Sequence, residues 1–389
     1  MAAVTKARVI HVTTTDMSLA LLLGPQLEAF RQAGYEVIAV SASGPFVAGL
    51  EAAGVRHVPL HNATRAAAPH RDLLALRELV GLFRRLSPDI VHTHNPKPGV
   101  YGRLAARAAG VPVVINTVHG LYALPEDRWS KRTLVYSLER VAARCSQAEL
   151  VQNPEDIETL VGLGLPVDKL HLLGNGIDLR RFDHRRRSDH RQRLRAELGF
   201  GAEDVVVGAV GRLVAEKGYP ELLQAAAVVS SQLPSARFVV IGPADPGKAD
   251  ALTDEVVSAG KAAGVRFLGY RADVEDLYAM MDVYVLASHR EGFPRSAMEA
   301  AAMELPIVAT DIRGCRQVVH DGVNGRLVPV RDAPALARAI SELVSDPRLR
   351  ERMARASAAK ALAEFDQRRV IEVTLEVYAS LLRSGRRRS

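Results

Sequence analysis

Short apolar runs alternate with longer stretches of helical period along most of the chain. In the first half, the runs at 8–13, 37–41, 55–60, 90–93, 113–117 and 150–152 read as buried strands. The segments 18–33, 71–86, 100–109, 130–144 and 155–163 read as helices. Parallel neighbours are joined only through a crossover, so strands alternating with helices of this length predict βαβ units and a parallel sheet. The same pattern runs again from Val205 to Val330, and from Ala333 onward only helical periods remain, at 334–344, 347–364 and 366–382. Between the halves lie Gly174-Asn175-Gly176-Ile177-Asp178 and a polar run at 184–191, the natural boundary. The expectation is an α/β chain of two Rossmann-like domains with parallel sheets facing across a cleft. They span 1–178 and 179–365, and a C-terminal helix with a basic tail follows at 366–389.

The bulk properties narrow the partners. At 389 residues with 48% hydrophobic content the chain can bury two cores. Cys145 and Cys315 stand alone without ligand spacing, which fits a reducing compartment rather than a disulfide framework. The first residues run into strand one with no signal-peptide core. No segment approaches the ~20 apolar residues of a membrane span. The expected location is therefore cytoplasmic, with the inner face of the membrane as the alternative contact. A net charge of +7 raises the question of nucleic acid, but aromatics are only 5% and no nucleic-acid-binding motif is present. The charge fits solvated arginines or an anionic membrane surface. Two amphipathic segments, 71–86 and 129–144, are candidates for that surface, although such stripes also pack on their own sheet.

Candidate chemistry concentrates in the second half. The run 282–287 leads into Glu291-Gly292-Phe293-Pro294-Arg295-Ser296-Ala297-Met298-Glu299, and an alanine-rich helical period leads out. One carboxylate thus sits on a loop at the carboxyl end of a strand and the other on the next helix, where ligands bind in open α/β sheets. Pro294 suits the first helical position, and the free N–H groups around Gly292, Phe293 and the first turn make an anion site. Upstream, Val205–Val210 is followed by Gly211-Arg212-Leu213-Val214-Ala215-Glu216-Lys217-Gly218 and a helical period to about Gln232. Arg212 offers a planar fork and Lys217 a point charge, a pairing suited to a diphosphate. Carboxylates beside an anion site suit a ligand with hydroxyls and phosphates, such as a sugar nucleotide.

Gly-Arg-x₄-Lys-Gly followed by Glu-Gly-Phe-Pro-x₄-Glu resembles the donor-binding half of the family 4 retaining glycosyltransferases, which have the two-domain GT-B fold. Phe267-Leu268-Gly269-Tyr270-Arg271, Asp311-Ile312-Arg313-Gly314-Cys315-Arg316 and Asp321-Gly322-Val323-Asn324-Gly325 fit as well. The resemblance is dense over 208–330 and looser before it. Asn95-Pro96-Lys97-Pro98-Gly99 with Asn116-Thr117-Val118-His119-Gly120-Leu121 is most similar to bacterial transferases of capsular, exopolysaccharide and O-antigen assembly.

The resemblance implies a retaining enzyme that moves an N-acetylhexosamine or hexose from a nucleotide diphosphate donor, UDP-linked, to a glycan or lipid-linked acceptor. It implies a catalytic set of His119, Glu291, Arg212 and Lys217, with His119 on the transferred sugar, Glu291 on its hydroxyls and Glu299 on the ribose. Gly269, Tyr270, Arg271, Gly292, Phe293 and Pro294 complete the donor site, the base being read near Gly269–Arg271. It also implies that the last helix returns to the first domain.

His92 and His94 share one face of a strand end, but no third metal ligand is apparent and no Asp-x-Asp occurs anywhere. The reading is therefore metal-independent and cofactor-free, with the diphosphate neutralised by Arg212, Lys217 and helix N-termini. His94, Asn95 and Lys97, with Asp16, then form the acceptor side. Two departures from the family pattern stand out. The turn Thr13-Thr14-Thr15-Asp16-Met17 lacks the usual glycines, and Glu304 occupies a helix end where glycine is common, so that helix is expected to end differently. A dehydrogenase is disfavoured because no Gly-x-Gly-x-x-Gly follows any strand. A sugar-nucleotide epimerase of the same architecture and a catalytically silent sugar-nucleotide binder are the alternatives.

Overall fold

The computed structural model describes residues 6–386 apart from 95 and 124–126. It divides into two units, residues 1–174 with 368–389 and residues 175–367.

The first unit is built on seven parallel strands: β1 (Arg8–Thr15), β2 (Glu36–Ala42), β3 (Arg56–Pro59), β4 (Ile90–His94), β5 (Val113–Val118), β6 (Ala148–Val151) and β7 (Leu170–Leu172). Their order is β3-β2-β1-β4-β5-β6-β7. Valine and isoleucine fill the central strands because both faces are covered, by Leu19, Leu27 and Phe30 on one side and Leu79, Phe83 and Tyr101 on the other. The last helix, Gln367–Arg386, contributes Val370, Val377 and Tyr378 to the first of those cores. A helix expected at 18–33 is present, but its first six residues, Ser18–Leu23, wind as a π-helix before Gly24–Gln32 continues. Helix Val47–Ala52 and strand β7 were not signalled by the sequence, being six and three residues long.

The second unit carries β8 (Val205–Val210), β9 (Ala236–Ile241), β10 (Arg266–Phe267), β11 (Val283–Leu286), β12 (Ile307–Thr310) and β13 (Gly325–Val328), parallel and in the order β10-β9-β8-β11-β12-β13. Its two chain ends are stitched together. Ile177 N–H donates to Phe365 O at 2.9 Å and Gln367 N–H to Ile177 O at 3.1 Å. Gly176 is required there, since a Cβ would lie 2.5 Å from Gln367 Cα. The expected boundary at 178 falls inside this paired segment, and the units divide just before it.

In each sheet the strand order reverses once, between β1 and β4 and between β8 and β11. The crevice at the carboxyl ends of those strands is where open α/β sheets bind ligands. Two local details differ from the sequence reading. Pro294 precedes helix Arg295–Ala302 with extended backbone (ψ 113°) instead of opening its first turn. Glu304 does adopt the left-handed conformation (φ 56°). Its N–H donates to Ala301 O and that of Leu305 to Ala300 O, so the helix ends in a Schellman motif without glycine.

The two amphipathic helices also part company. Pro69–Leu86 buries Ala75, Leu79, Leu82, Phe83 and Leu86 against its own sheet. Trp129–Ala142 leaves Trp129, Leu134, Leu138 and Val141 exposed. Among the described residues no helix is long and apolar enough to cross a membrane.

Candidate active site

The donor residues converge because β8 and β11 are neighbours. The loop after β8 winds as a short turn, Ala215–Lys217, closed by Gly218 in the left-handed conformation (φ 71°). Only glycine fits, as a Cβ would lie 1.9 Å from Ala287 O. That contact presses the Lys217 loop onto the end of β11. Lys217 Nζ is 2.6 Å from Glu291 Oε1, and Ser288 Oγ donates to the same oxygen at 2.8 Å. The Glu291 backbone is backed by Gly314, where a Cβ would meet Glu291 O at 2.5 Å. Arg212, on the same loop as Lys217, points to Asp245 after β9, with Nη1 2.5 Å from Oδ2. Arg212 is therefore an ion-paired, half-buried guanidinium.

Glu299 lies about one turn along its helix and accepts from Tyr278 OH at 3.1 Å. Burial raises its pKa, against the opposing pull of Arg295 and Arg181. The N-cap residue of helix Arg295–Ala302, Pro294, makes no side-chain capping bond. Asn175 Nδ2 donates to Phe293 O at 3.0 Å and fixes the loop that leads into it. Gly269 (φ 66°) receives the N–H of Gly242 on its carbonyl at 2.8 Å, Tyr270 is exposed, and Arg271 is paired with Asp273 at 2.6 Å. Pairings to Asp245, Tyr278 and Asn175 were invisible in the sequence, since each lies on a different loop or element from its partner.

The expected acceptor-side residues are arranged differently. Asn95 lies outside the described residues. Lys97 is held by neighbouring groups: its Nζ contacts Asp72 Oδ1 at 2.6 Å and donates to Thr64 O and Ala66 O at 3.0 and 2.8 Å. Asp16 is buried and accepts from the N–H groups of Met17 and Phe46 at 2.9 and 2.8 Å, stapling the loop after β2. His94 is buried too, with its Nδ1 3.2 Å from Nε2 of His119. His119 and Lys97 keep part of their surface exposed, while His119 Nδ1 is out of solvent and has no partner at hydrogen-bonding geometry. Burial pushes the His119 pKa down to about 4, against the smaller opposing hydrogen-bonding pull of the Gln152 side chain.

The third imidazole that the sequence did not reveal is His11. It lies on β1 in register with His92 on β4, and His11, His92 and His94 bring ring nitrogens within 4.8 Å of one another. Three neutral imidazoles are the donor set of a zinc or copper ion. Their nitrogens, however, are already engaged with each other, with Tyr378 and with Thr117.

The glycosyl transferases group 1 family model matches residues 190–360, and the glycosyltransferase family 4 model matches residues 26–181. The chain is 30% identical to EpsD of Bacillus subtilis, covering 96% of this chain and 97% of that protein. It is 31% identical to a UDP-Gal:alpha-D-GlcNAc-diphosphoundecaprenol alpha-1,3-galactosyltransferase of Escherichia coli, over 71% of each. The solved structure of Anabaena HepE in complex with UDP and glucose covers 96% of this chain and 100% of its own, with a TM-score of 0.81 at 22% identity. That likeness shows the GT-B fold. With matches to both halves of one family, and with full-length relatives at this identity, the chain belongs to the family 4 glycosyltransferases.

Proposed function

We propose that this glycosyltransferase of polysaccharide or glycoconjugate biosynthesis is retaining and metal-independent. It moves a hexose or N-acetylhexosamine from a UDP-linked donor to a glycan or lipid-linked acceptor. The observation that carries the reading is Lys217 against Glu291 at the switch point of the second sheet, with Arg212 on the same loop and Glu299 on the next helix. Cations there take the diphosphate and stabilise the departing nucleotide, and carboxylates take hydroxyls. In this reading His119 meets a hydroxyl of the sugar substrate. The Escherichia coli relative is named for a UDP-linked donor and a diphosphoundecaprenol-linked acceptor, and HepE was solved with UDP. These names support the finer assignment of donor and acceptor.

A lipid-linked acceptor calls for work at a membrane surface. The exposed stripe Trp129, Leu134, Leu138 and Val141, flanked by exposed Arg128, Arg140 and Arg144, suits the anionic inner leaflet.

The test is a thermal-shift panel of nucleotide sugars followed by a transfer assay with EDTA. The true donor stabilises by about 2.7 kcal/mol at a hundredfold excess over its Kd, and transfer survives chelation. Epimerised donor without transfer would select the epimerase reading, and binding without turnover the silent binder. Loss of transfer in EDTA with recovery in Mg²⁺ or Mn²⁺ would overturn metal independence.

A further inference from the structure

We infer that Tyr378, His11 and His94 form a buried hydrogen-bonded relay that fixes the tautomer of His119, holding its Nδ1 as a bare acceptor for a substrate hydroxyl. The inference rests on the proposed role of His119 at the sugar. The contacts run in one line. Tyr378 OH is 2.6 Å from His92 Nδ1 and 3.4 Å from His11 Nε2. His11 Nδ1 is 3.0 Å from His94 Nε2, and His94 Nδ1 is 3.2 Å from His119 Nε2. His92 Nε2 is 2.7 Å from Thr117 Oγ1.

Direction follows from proton counting. A neutral imidazole carries one N–H, so one ring nitrogen donates and the other accepts. A phenol is the better donor and an imidazole nitrogen the better acceptor, so the short bond is Tyr378 O–H donating to His92 Nδ1. His92 Nε2–H then donates to Thr117 Oγ1, and the Tyr378 oxygen accepts from His11 Nε2–H. His11 Nδ1 is left as an acceptor, so His94 donates from Nε2 and accepts at Nδ1. His119 must therefore donate from Nε2, and its Nδ1 carries the lone pair. Among the described residues, that atom is the one buried ring nitrogen of the four with no partner at hydrogen-bonding geometry, the Gln152 side chain lying nearby. An orphaned buried acceptor needs an explanation, and a substrate hydroxyl supplies one.

The rings are neutral because burial disfavours their charged forms, and none of the influences on them comes from a carboxylate. Packing holds the line in place: His11 stacks on Phe30 at 5.4 Å, and His92 on His94 at 4.2 Å. The relay residues are positioning residues, since only His119 would touch substrate.

The test uses the full chain labelled with ¹⁵N-histidine and long-range proton–nitrogen correlation. Wild-type His119 is expected as the Nε2–H tautomer alone. His11→Phe keeps a ring against Phe30 but removes the acceptor, so His119 should become a mixture of tautomers and kcat should fall about tenfold, the scale of one neutral hydrogen bond. His11→Asn places an amide oxygen near the lost Nδ1 and should restore both readings. If His11→Phe does not fold, Tyr378→Phe, which removes only the hydroxyl, should scramble the tautomer likewise. An Nδ1–H tautomer in the wild type, or a single tautomer with full turnover in the variants, overturns the relay. So does stoichiometric zinc or copper in the purified protein with loss of the imidazole N–H signals. A wild type that transfers no sugar refutes the proposed function, whereas the tautomer spectra still decide the relay.

Discussion

Lys217 Nζ lies 2.6 Å from Glu291 Oε1, joining the loop after β8 to the loop after β11 across the point where the second sheet reverses its order. The side chains are 24% and 13% exposed, so the pair is partly desolvated and holds both groups in one geometry before any ligand arrives. Preorganisation of this kind is what electrostatic catalysis needs, because no group must reorient as charge develops.

Removing either cation of this loop should therefore slow the chemical step. Lys217→Ala and Arg212→Ala are expected to lower kcat by ~10²-fold or more, the scale for loss of one preorganised donor. Lys217→Ala also strands Glu291 without its cation, so it should weaken donor binding as well. Steady-state kinetics on both variants checks this, and wild-type turnover with wild-type donor affinity in either one removes the clamp.

The carboxylates should separate by ligand. Glu299 sits on helix Arg295–Ala302 and is paired with Tyr278, and Glu291 sits on the loop after β11 and is held by Lys217 and Ser288. Glu299→Gln is expected to weaken both free nucleotide diphosphate and intact donor, by about tenfold for one charge-assisted hydrogen bond. Glu291→Gln should weaken chiefly the intact donor. Calorimetric titration with the two ligands decides it, and equal losses on both ligands in both variants would abolish the division.

Much of this site was legible because its signals are local. Arg212, Lys217, Glu291 and Glu299 each follow a strand within a strand–loop–helix unit, so short stretches of sequence place them at carboxyl strand ends. What was not legible depends on which strands are neighbours. His11 joins His92 only because β1 lies beside β4, and Tyr378 reaches His92 across a separation of 286 residues. The pairing of Lys97 with Asp72, on the preceding helix, could not be read from the sequence either. Strands β7 and β10 escaped notice because three and two residues are too short to show a period.

Four buried neutral imidazoles make the first unit sensitive to acid. Burial holds His11 near 3 and His119 near 4, with His92 and His94 well below the ordinary value of 6.5. Above 6.5 neither folded nor unfolded chain binds these protons, so stability is full. As pH falls from 6.5 towards about 4, the unfolded chain binds them and the folded chain does not, so stability falls. Each ring contributes a slope of about 1.4 kcal/mol per pH unit in that window. Urea unfolding from about pH 7.5 to about pH 5 should show the midpoint dropping, and His11→Phe should flatten the slope by one ring's share. A midpoint independent of pH over that range would mean the imidazoles are not buried neutral.

Stereochemistry tests how Glu291 acts. Its Oε1 is occupied by both Lys217 and Ser288, and Gly314 backs its main chain, so the side chain is held as an orienting acceptor for sugar hydroxyls and not as a nucleophile free to attack. In the proposed retaining reaction, with no protein nucleophile, the acceptor oxygen approaches the anomeric carbon from the face on which the diphosphate departs. The leaving phosphate, held near Arg212 and Lys217, can itself take the acceptor's proton. An α-linked donor should therefore give an α-linked product, read from the anomeric coupling constant by proton NMR. A β-linked product from an α-linked donor would require attack from the opposite face and a base there, and would refute the retaining assignment.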